Sequence, residues 1–320
     1  MSTQYTDSSE LPNERSRDSQ ELRVEGRLGR APDRQTISQD TYDELVHYYK
    51  HASQAYTVVK HSKVNGARLI VAFVDIATDA QGYIAVDDER KDIVVVFRGT
   101  QGIRGSVMDS MIRLEDIIAP KELPGVQVHH GFQSCWMAVS PVVVKHVQEQ
   151  VGLQPGYTLV AVGHSLGGAM ASIASVTFKQ LSPQTRMKLL TYGQPRAGNA
   201  LFTQTITDLI GKQEIFRVVH SNDGVPTMVP TELGYVHHGI EYWAWDPPSP
   251  ECTYICNAAG DYEEDPNGST GVPSAGVNMA HLTYFGHLCC YPFFTAQLDI
   301  TASEDLRLYD KQAQYATGLE

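Results

Sequence analysis

Tyr157-Thr158-Leu159-Val160-Ala161-Val162-Gly163-His164-Ser165-Leu166-Gly167-Gly168 is a β-rich apolar run that ends in G-x-S-x-G, with small residues following at Ala169, Ala171, Ser172, Ala174 and Ser175. This order predicts a strand, a sharp turn and then a helix, the setting that a nucleophile elbow requires. Gly163 and Gly167 flank Ser165 where a side chain would obstruct the tight turn and the close approach of helix to strand. Such a turn lifts the Ser165 hydroxyl out of the sheet. The amides after it belong to a helix N-terminus, where negative charge is stabilised. The bland alternative is a Gly/Ser turn of the kind found in any α/β protein. The apolar run before it and the small-residue helix after it favour the nucleophile.

The chain has 320 residues, enough for a large core in one or two domains. A hydrophobic content of 42% with 19% charged residues is ordinary for a globular protein. The net charge of −12 disfavours nucleic acid as a partner, because such binding relies on Lys and Arg contacts to phosphates, and it is compatible with neutral substrates. No apolar run approaches the roughly 20 residues of a transmembrane helix. The first thirty residues lack an apolar signal-peptide core, so the expectation is either an intracellular protein or a signal already removed. The five cysteines (Cys135, Cys252, Cys256, Cys289, Cys290) contain no C-x-x-C pair, and no metal site is expected. Cys135 reads as a buried thiol, and Cys252 and Cys256 are close enough for a small-loop disulfide. Asn267-Gly268-Ser269 is an N-glycosylation sequon, which matters only in a secreted chain.

Residues 1–35 are rich in Ser, Asp, Glu, Arg and Gln and are expected to form a flexible extension, since they offer little apolar surface to offset ordering. A single domain is expected over 36–298, with a polar tail over 299–320. Helical spacing runs from about Gln39 to Tyr56, and strand-like runs lie at Arg68–Ile76, Tyr83–Val86 and Ile93–Phe97. The continuously apolar Ile93–Phe97 suits a central strand covered on both faces. Ile103–Ile118 mixes apolar and charged residues at helical spacing, and a helix is expected after Val128–Phe132. Strands are expected at Met187–Tyr192 and Glu214–Val219, a helix at Asn199–Ile210, and an exposed-edge strand at Tyr235–Trp245. A loop spans Pro247–Pro273. Alternating strands and helices without an internal repeat predict one α/β domain with a mainly parallel sheet. In such sheets the functional residues gather beyond the carboxyl ends of the strands, where Thr100, Ser165 and Asp223 all fall.

A serine hydroxyl is a weak nucleophile and needs a base that an acid orients. In the hydrolase order the acid and then the histidine follow the serine. Of Asp208, Glu214, Asp223, Glu232 and Asp246, the favoured acid is Asp223, which follows a strand end within His220-Ser221-Asn222-Asp223-Gly224-Val225-Pro226. The competing role for Asp223 is an Asx turn without catalysis. The base must be His237, His238, His281 or His287. The first two sit in an expected strand, where a packing role is the default, which leaves His281 and His287 open with the former favoured.

Phe97-Arg98-Gly99-Thr100, Gly163–Gly168, Tyr192-Gly193-Gln194-Pro195-Arg196-Ala197-Gly198-Asn199, His220–Pro226 and Ala280-His281-Leu282-Thr283-Tyr284-Phe285-Gly286 together resemble the class 3 lipases of fungi. That family includes triacylglycerol lipases and the similar type A feruloyl esterases. The resemblance spans about Ser38 to Gly286. It implies an α/β-hydrolase fold without a cofactor, a triad of Ser165, Asp223 and His281, and an oxyanion hole from Thr100 and the Leu166 backbone N–H. It also implies secretion, and a lid after Thr100 in which Ile103, Val107, Met108, Met111 and Ile112 form an apolar face toward a lipid–water interface. The cystine that joins the N-terminal region to the C-terminal end in those lipases is not expected, since no cysteine precedes Cys135. The expected substrates are lipid esters, glycerides foremost. Alternatives are a feruloyl-type esterase acting on soluble aromatic esters, for which Asp223-Gly224 and Glu241-Tyr242-Trp243 speak, a catalytically silent hydrolase-fold binding protein, and a surface-active protein without turnover.

Overall fold

Ile93–Phe97, continuously apolar in sequence, is buried throughout and lies inside a sheet that has nine strands among the described residues. The computed structural model describes residues 35–57, 63–100, 112–256, 264–274 and 276–289. Within them, helix α1 (Gln39–Gln54) is capped by Ser38, whose hydroxyl accepts from the Thr41 N–H at 3.2 Å, satisfying one of the first-turn donors. Strands β1 (Lys63–Val64), β2 (Ala67–Asp75), β3 (Ala80–Asp87) and β4 (Asp92–Phe97) form an antiparallel meander. A small antiparallel pair, β5 (Leu114–Asp116) and β6 (Gln127–His129), leads into the long helix α2 (His130–Leu153). Strand β7 (Thr158–His164), helix α3 (Leu166–Leu181), strand β8 (Met187–Tyr192), helix α4 (Ala200–Ile210) and strands β9 (Ile215–His220) and β10 (Ile240–Ala244) follow. Strand β11 (Thr253–Cys256) closes the sheet, and a short helix α5 (Met279–Leu282) precedes the pair β12 (Thr283–Tyr284) and β13 (His287–Leu288).

The sheet order is β1-β2-β3-β4-β7-β8-β9-β10-β11. Strands β4, β7, β8, β9 and β10 run parallel, so their carboxyl ends share one edge, and antiparallel strands flank them on both sides. Alternation in β4 feeds two cores. Ile93, Val95 and Phe97 pack with α2, α3 and α4, whereas Val94 and Val96 pack with Tyr48, Tyr49 and Ala52 of α1. A parallel sheet with both faces covered needs strands that are apolar on both sides, which is how β4 and β7 read.

The structure departs from the sequence expectations in several places. The strand expected at Tyr235–Trp245 as an exposed edge is β10, buried at all five positions and paired with β9 on one side and β11 on the other. The edge is β11, which lies inside the stretch read as a loop. The helical spacing expected for Ile103–Ile118 gives way at Leu114–Asp116, which pairs with β6 instead. Ile103, Val107, Met108 and Met111 lie outside the described residues, as do residues 1–34 and 290–320, and Ile112 is half-buried against the larger core. Cys135 is the buried thiol expected of it, its pKa pushed up to about 11 by burial and the nearby Asp79 and Asp75 charges. Cys252 is a free thiol, so it forms no small-loop disulfide with Cys256.

Helix α3 is buried at every position from Leu166 to Phe178, a pattern small residues permit. A β-carbon on Gly167 would lie 2.1 Å from the Phe97 carbonyl oxygen, and one on Gly163 would lie 2.1 Å from the Gly167 oxygen. These are backbone neighbours that cannot swing away, so a Gly167→Ala chain must separate α3 from β4. Overpacking of this kind typically costs about 1–3 kcal/mol, and rigid obstacles place it at the upper end. Thermal unfolding of Gly167→Ala should show a midpoint lowered by roughly 5–10 °C. An unchanged midpoint would mean that helix and strand are not in this contact.

Candidate active site

Ser165 joins β7 to α3 with φ 58° and ψ −130°, a region that residues with a side chain rarely occupy and that costs of order 1–3 kcal/mol. The surroundings hold it there. Its N–H donates to the Tyr192 carbonyl at 2.8 Å, and its own carbonyl accepts from the Gly168 N–H at 3.0 Å. Serine at a helix N-cap usually spends its hydroxyl on the first turn, but Ser165 makes no side-chain capping bond. The turn therefore sets the hydroxyl aside from local structure.

Asp223 and His281 meet next to this elbow. The His281 Nδ1 lies 2.9 Å from Asp223 Oδ2 and 3.0 Å from Oδ1, with both side chains fully buried. Asp223 also accepts from the Tyr284 hydroxyl at 2.6 Å and the Val225 N–H at 2.9 Å. Burial alone would raise the Asp223 pKa. The charge and hydrogen bond of the His281 ring, with the hydrogen bonds from Tyr284 and Val225, together outweigh burial, so the net shift is downward and the group stays a carboxylate. A carboxylate on Nδ1 fixes the tautomer with its proton there, leaving Nε2 as the basic atom. That Nε2 is buried and has no hydrogen-bond partner among the described residues. Gly193, at φ 57°, leaves room for the pair, since a β-carbon there would come within 2.5 Å of Asp223 Oδ2 and 2.8 Å of His281 Nδ1.

One-turn helix α5 positions His281. Asn278 caps it, its Oδ1 accepting from the His281 N–H at 3.1 Å, while its Nδ2 donates to the Asn222 carbonyl at 2.7 Å. One side chain thus ties the turn bearing His281 to the loop bearing Asp223. From the other side, the His220 Nδ1 reaches the Ala280 carbonyl at 3.2 Å. His164, which precedes the elbow serine, lies under the His281 ring at a centroid distance of 4.6 Å and donates from Nε2 to the His281 carbonyl at 2.8 Å. Its Nδ1 then accepts from the Tyr56 hydroxyl at 2.7 Å. Burial and the neighbouring His281 lower the His164 pKa to about 3, so this ring stays neutral.

Thr100 sits past the end of β4, and β4 pairs with β7 so that Phe97 lies opposite Gly163. A β-carbon on Gly99 would fall 2.9 Å from the Ser165 β-carbon, which places the Arg98-Gly99-Thr100 backbone against the elbow. The buried Arg98 guanidinium holds that backbone by donating to the Gly99 carbonyl at 3.0 Å, and is itself held by Asp79 at 2.6 Å and Gln81 at 2.9 Å. Leu166 is the first residue of α3, where backbone N–H groups lack intrahelical acceptors and favour negative charge.

Of the sequence candidates, Ser165, Asp223, His281, Thr100 and Leu166 gather at the carboxyl edge of the parallel strands. His287 does not. It lies in β13, half-buried, its pKa lowered by burial and Lys50, and its carbonyl accepts from Tyr49 at 3.2 Å. His237 and His238 are core residues, bonded to the Pro226 carbonyl at 2.9 Å and to Ser172 at 2.9 Å. Tyr284, Asn278, His164 and Tyr56 escaped sequence reasoning as site residues. Tyr284 alone carried a signal, lying three residues beyond His281. The loop before α5 is fastened by two carboxylates, the buried Glu241 and the partly buried Glu264. Glu264 takes a bidentate grip from Arg196 at 2.6 and 2.7 Å, and Glu241 bridges Arg217 and Ser269.

A strand order with a strained serine elbow after β7, an acid after β9 and a histidine after the last long loop is that of an α/β-hydrolase. Residues 94–233 match the family Lipase (class 3). The chain is 35% identical over 226 residues to the secreted mono- and diacylglycerol lipase A of Penicillium camembertii, an alignment covering 70% of this chain and 72% of that protein. Among solved structures, the lipase of Rhizopus microsporus var. chinensis superposes with a TM-score of 0.72 at 30% identity, covering 81% of this chain and 93% of that one. A triacylglycerol lipase whose catalytic centre is a serine-protease triad gives a TM-score of 0.70 at 28% identity, covering 81% and 99%. The chain belongs to the class 3 lipase family and is a serine ester hydrolase.

Two expectations follow from the geometry. Asn278→Ala removes both the cap and the tie to Asn222, and misplacement near 1 Å can cost about 100-fold. Steady-state kinetics should show kcat down by roughly 10- to 100-fold with KM little changed, and Asn278→Ser, which keeps a capping oxygen, should recover part of the loss. A proportional rise in KM instead would assign Asn278 to substrate binding. The second concerns acid. Burial lowers the pKa of His51, His164 and His238 to about 3 and of His237 well below its usual value. With folded values below the unfolded 6.5, the unfolded chain binds these protons first, so their stability contribution is complete above pH 6.5 and is lost as pH falls toward the folded values. Each adds a slope of about 1.4 kcal/mol per pH unit below 6.5. Denaturant unfolding between pH 7 and 5 should register an uptake of up to about four protons from these rings. A flat profile would contradict their neutral burial.

Proposed function

We propose that this chain hydrolyses glyceride esters through an acyl-enzyme on Ser165, with His281 as base, Asp223 as the acid that orients it, and Thr100 and the Leu166 N–H as oxyanion donors. The observation that carries the reading is the buried Nε2 of His281, without a hydrogen-bond partner among the described residues, on a ring packed against His164, the residue before a strained serine whose hydroxyl is not used for capping. His281 Nε2 takes the proton as the Ser165 oxygen bonds to the ester carbonyl carbon, and the carbonyl oxygen becomes an anion. Donors already aimed at that oxygen lower the barrier without reorganising, and losing one typically costs roughly 100- to 1,000-fold. The intermediate collapses as the imidazolium returns its proton to the leaving alcohol. Water, deprotonated by the same ring, then attacks the acyl-enzyme, and the bond to the Ser165 oxygen breaks as the imidazolium returns its proton to that oxygen and the acid leaves. Asp223 stays ionised throughout and stabilises the transient imidazolium.

Glycerides are favoured because the relatives described above are named for acylglycerol hydrolysis. Export from the cell is part of the same reading, since the Penicillium relative is named as secreted.

Ser165→Ala should lower kcat on p-nitrophenyl butyrate by about 10⁵- to 10⁶-fold. Activity surviving intact would sink the mechanism. With the wild-type protein, tributyrin hydrolysis should rise sharply above the solubility limit and exceed hydrolysis of methyl ferulate. The reverse order would assign the chain to aromatic esters.

A further inference from the structure

Asn267-Gly268-Ser269 is the sole N-x-S/T sequence in the chain, and ester hydrolysis gives it no part. Asp265-Pro266-Asn267-Gly268 has the composition of a type I turn, and the Gly268 N–H closes it onto the Asp265 carbonyl at 2.9 Å. Asp265 Oδ1 also accepts from the Asn267 N–H at 2.8 Å. The turn presents the Asn267 side chain to solvent. The other end of the sequon points inward. Ser269 is 4% exposed, its hydroxyl donates to Glu241 Oε2 at 2.9 Å and its N–H to Oε1 at 2.7 Å, and Glu241 is bound in turn to the buried Arg217 at 2.9 Å. A β-carbon on Gly268 would meet Glu241 Oε1 at 2.6 Å, so packing also dictates the middle residue.

We propose that Asn267 is the N-glycan acceptor of the exported chain, and that the sugar is added before the 264–271 loop folds. The donor is an oligosaccharide on a polyprenyl diphosphate. The Asn267 amide nitrogen bonds to the anomeric carbon and the bond from that carbon to the diphosphate oxygen breaks. The diphosphate leaves with the electron pair, and the amide gives one proton to a base of the transferase. Recognition requires the Ser269 hydroxyl, which the folded loop commits to Glu241, whereas the exposed Asn267 leaves a finished glycan room in solvent. Folding therefore closes the site to addition without crowding the product.

The proposal rests on export, so the test supplies it. The full chain is translated behind an added secretory leader into microsomes, and its mass is read before and after an amidase that releases N-glycans. One releasable glycan is expected on the wild type and on Ser269→Thr, and none on Asn267→Gln or Ser269→Ala. Chain folded beforehand and then given the same transferase and donor should gain none. An unmodified wild-type chain overturns the site, and equal modification of folded chain overturns the order of events. Absence of the natural protein outside its cell would count against export alone, leaving the microsome result intact.

Discussion

Ser165 is held at φ 58° and ψ −130° by contacts too close for any other arrangement, and the remaining site is arranged about that turn. The strain, of order 1–3 kcal/mol, persists only because the surroundings over-determine it. Phe97, Gly163 and Gly167 bring three backbone segments within reach of one another where no β-carbon fits. Parallel pairing of β4, β7 and β8 fixes the height of the elbow relative to Thr100 and Tyr192. Sheet register, rather than any local preference of the G-x-S-x-G residues, thus aims the hydroxyl.

A second layer of polar contacts holds the base. His281 comes from the far end of the described chain, and two other segments secure its short helix: the turn after β9, through His220, Asp223 and the Asn222 carbonyl that Asn278 reaches, and the end of β7, through His164. Tyr284 lends a hydroxyl to the acid that orients it. Each of these groups is bonded inside the protein, whereas His281 Nε2, like six other buried side-chain atoms, has no hydrogen-bond partner among the described residues. Buried polar atoms are expensive to leave unpaired, at about 1–3 kcal/mol, and at His281 the open atom is the ring nitrogen opposite the one that Asp223 holds.

Much of this was legible in the sequence because the governing signals are local. The continuous apolar run at Ile93–Phe97 announced a central strand, and small residues after Ser165 announced a helix that packs closely. Asp223 stood out through the turn residues around it. The base was harder, since His281 and His287 are six residues apart in similar company, and residue reading alone left both open. What separates them is that Asn278 winds a single helical turn and directs His281 inward, a capping effect. Tyr56 and His164 meet across 108 residues, and no periodicity encodes such a contact. Strand β11 was hidden because Thr253–Cys256, although rich in strand-forming residues, is only four residues long within a Pro- and Gly-rich stretch, and it is extended through pairing with β10. The same pairing turned β10 from an edge into a buried strand.

In the proposed reaction His281, held by Asp223, activates Ser165. The most direct test is the rate at which a fluorophosphonate forms a covalent adduct, with the modified residue located by peptide mass spectrometry. One adduct per chain is expected on Ser165, formed at a rate that falls by orders of magnitude in His281→Ala and by a smaller factor in Asp223→Asn, with both variants still folded. Labelling of another residue, or of Ser165 at an unchanged rate in His281→Ala, would contradict it.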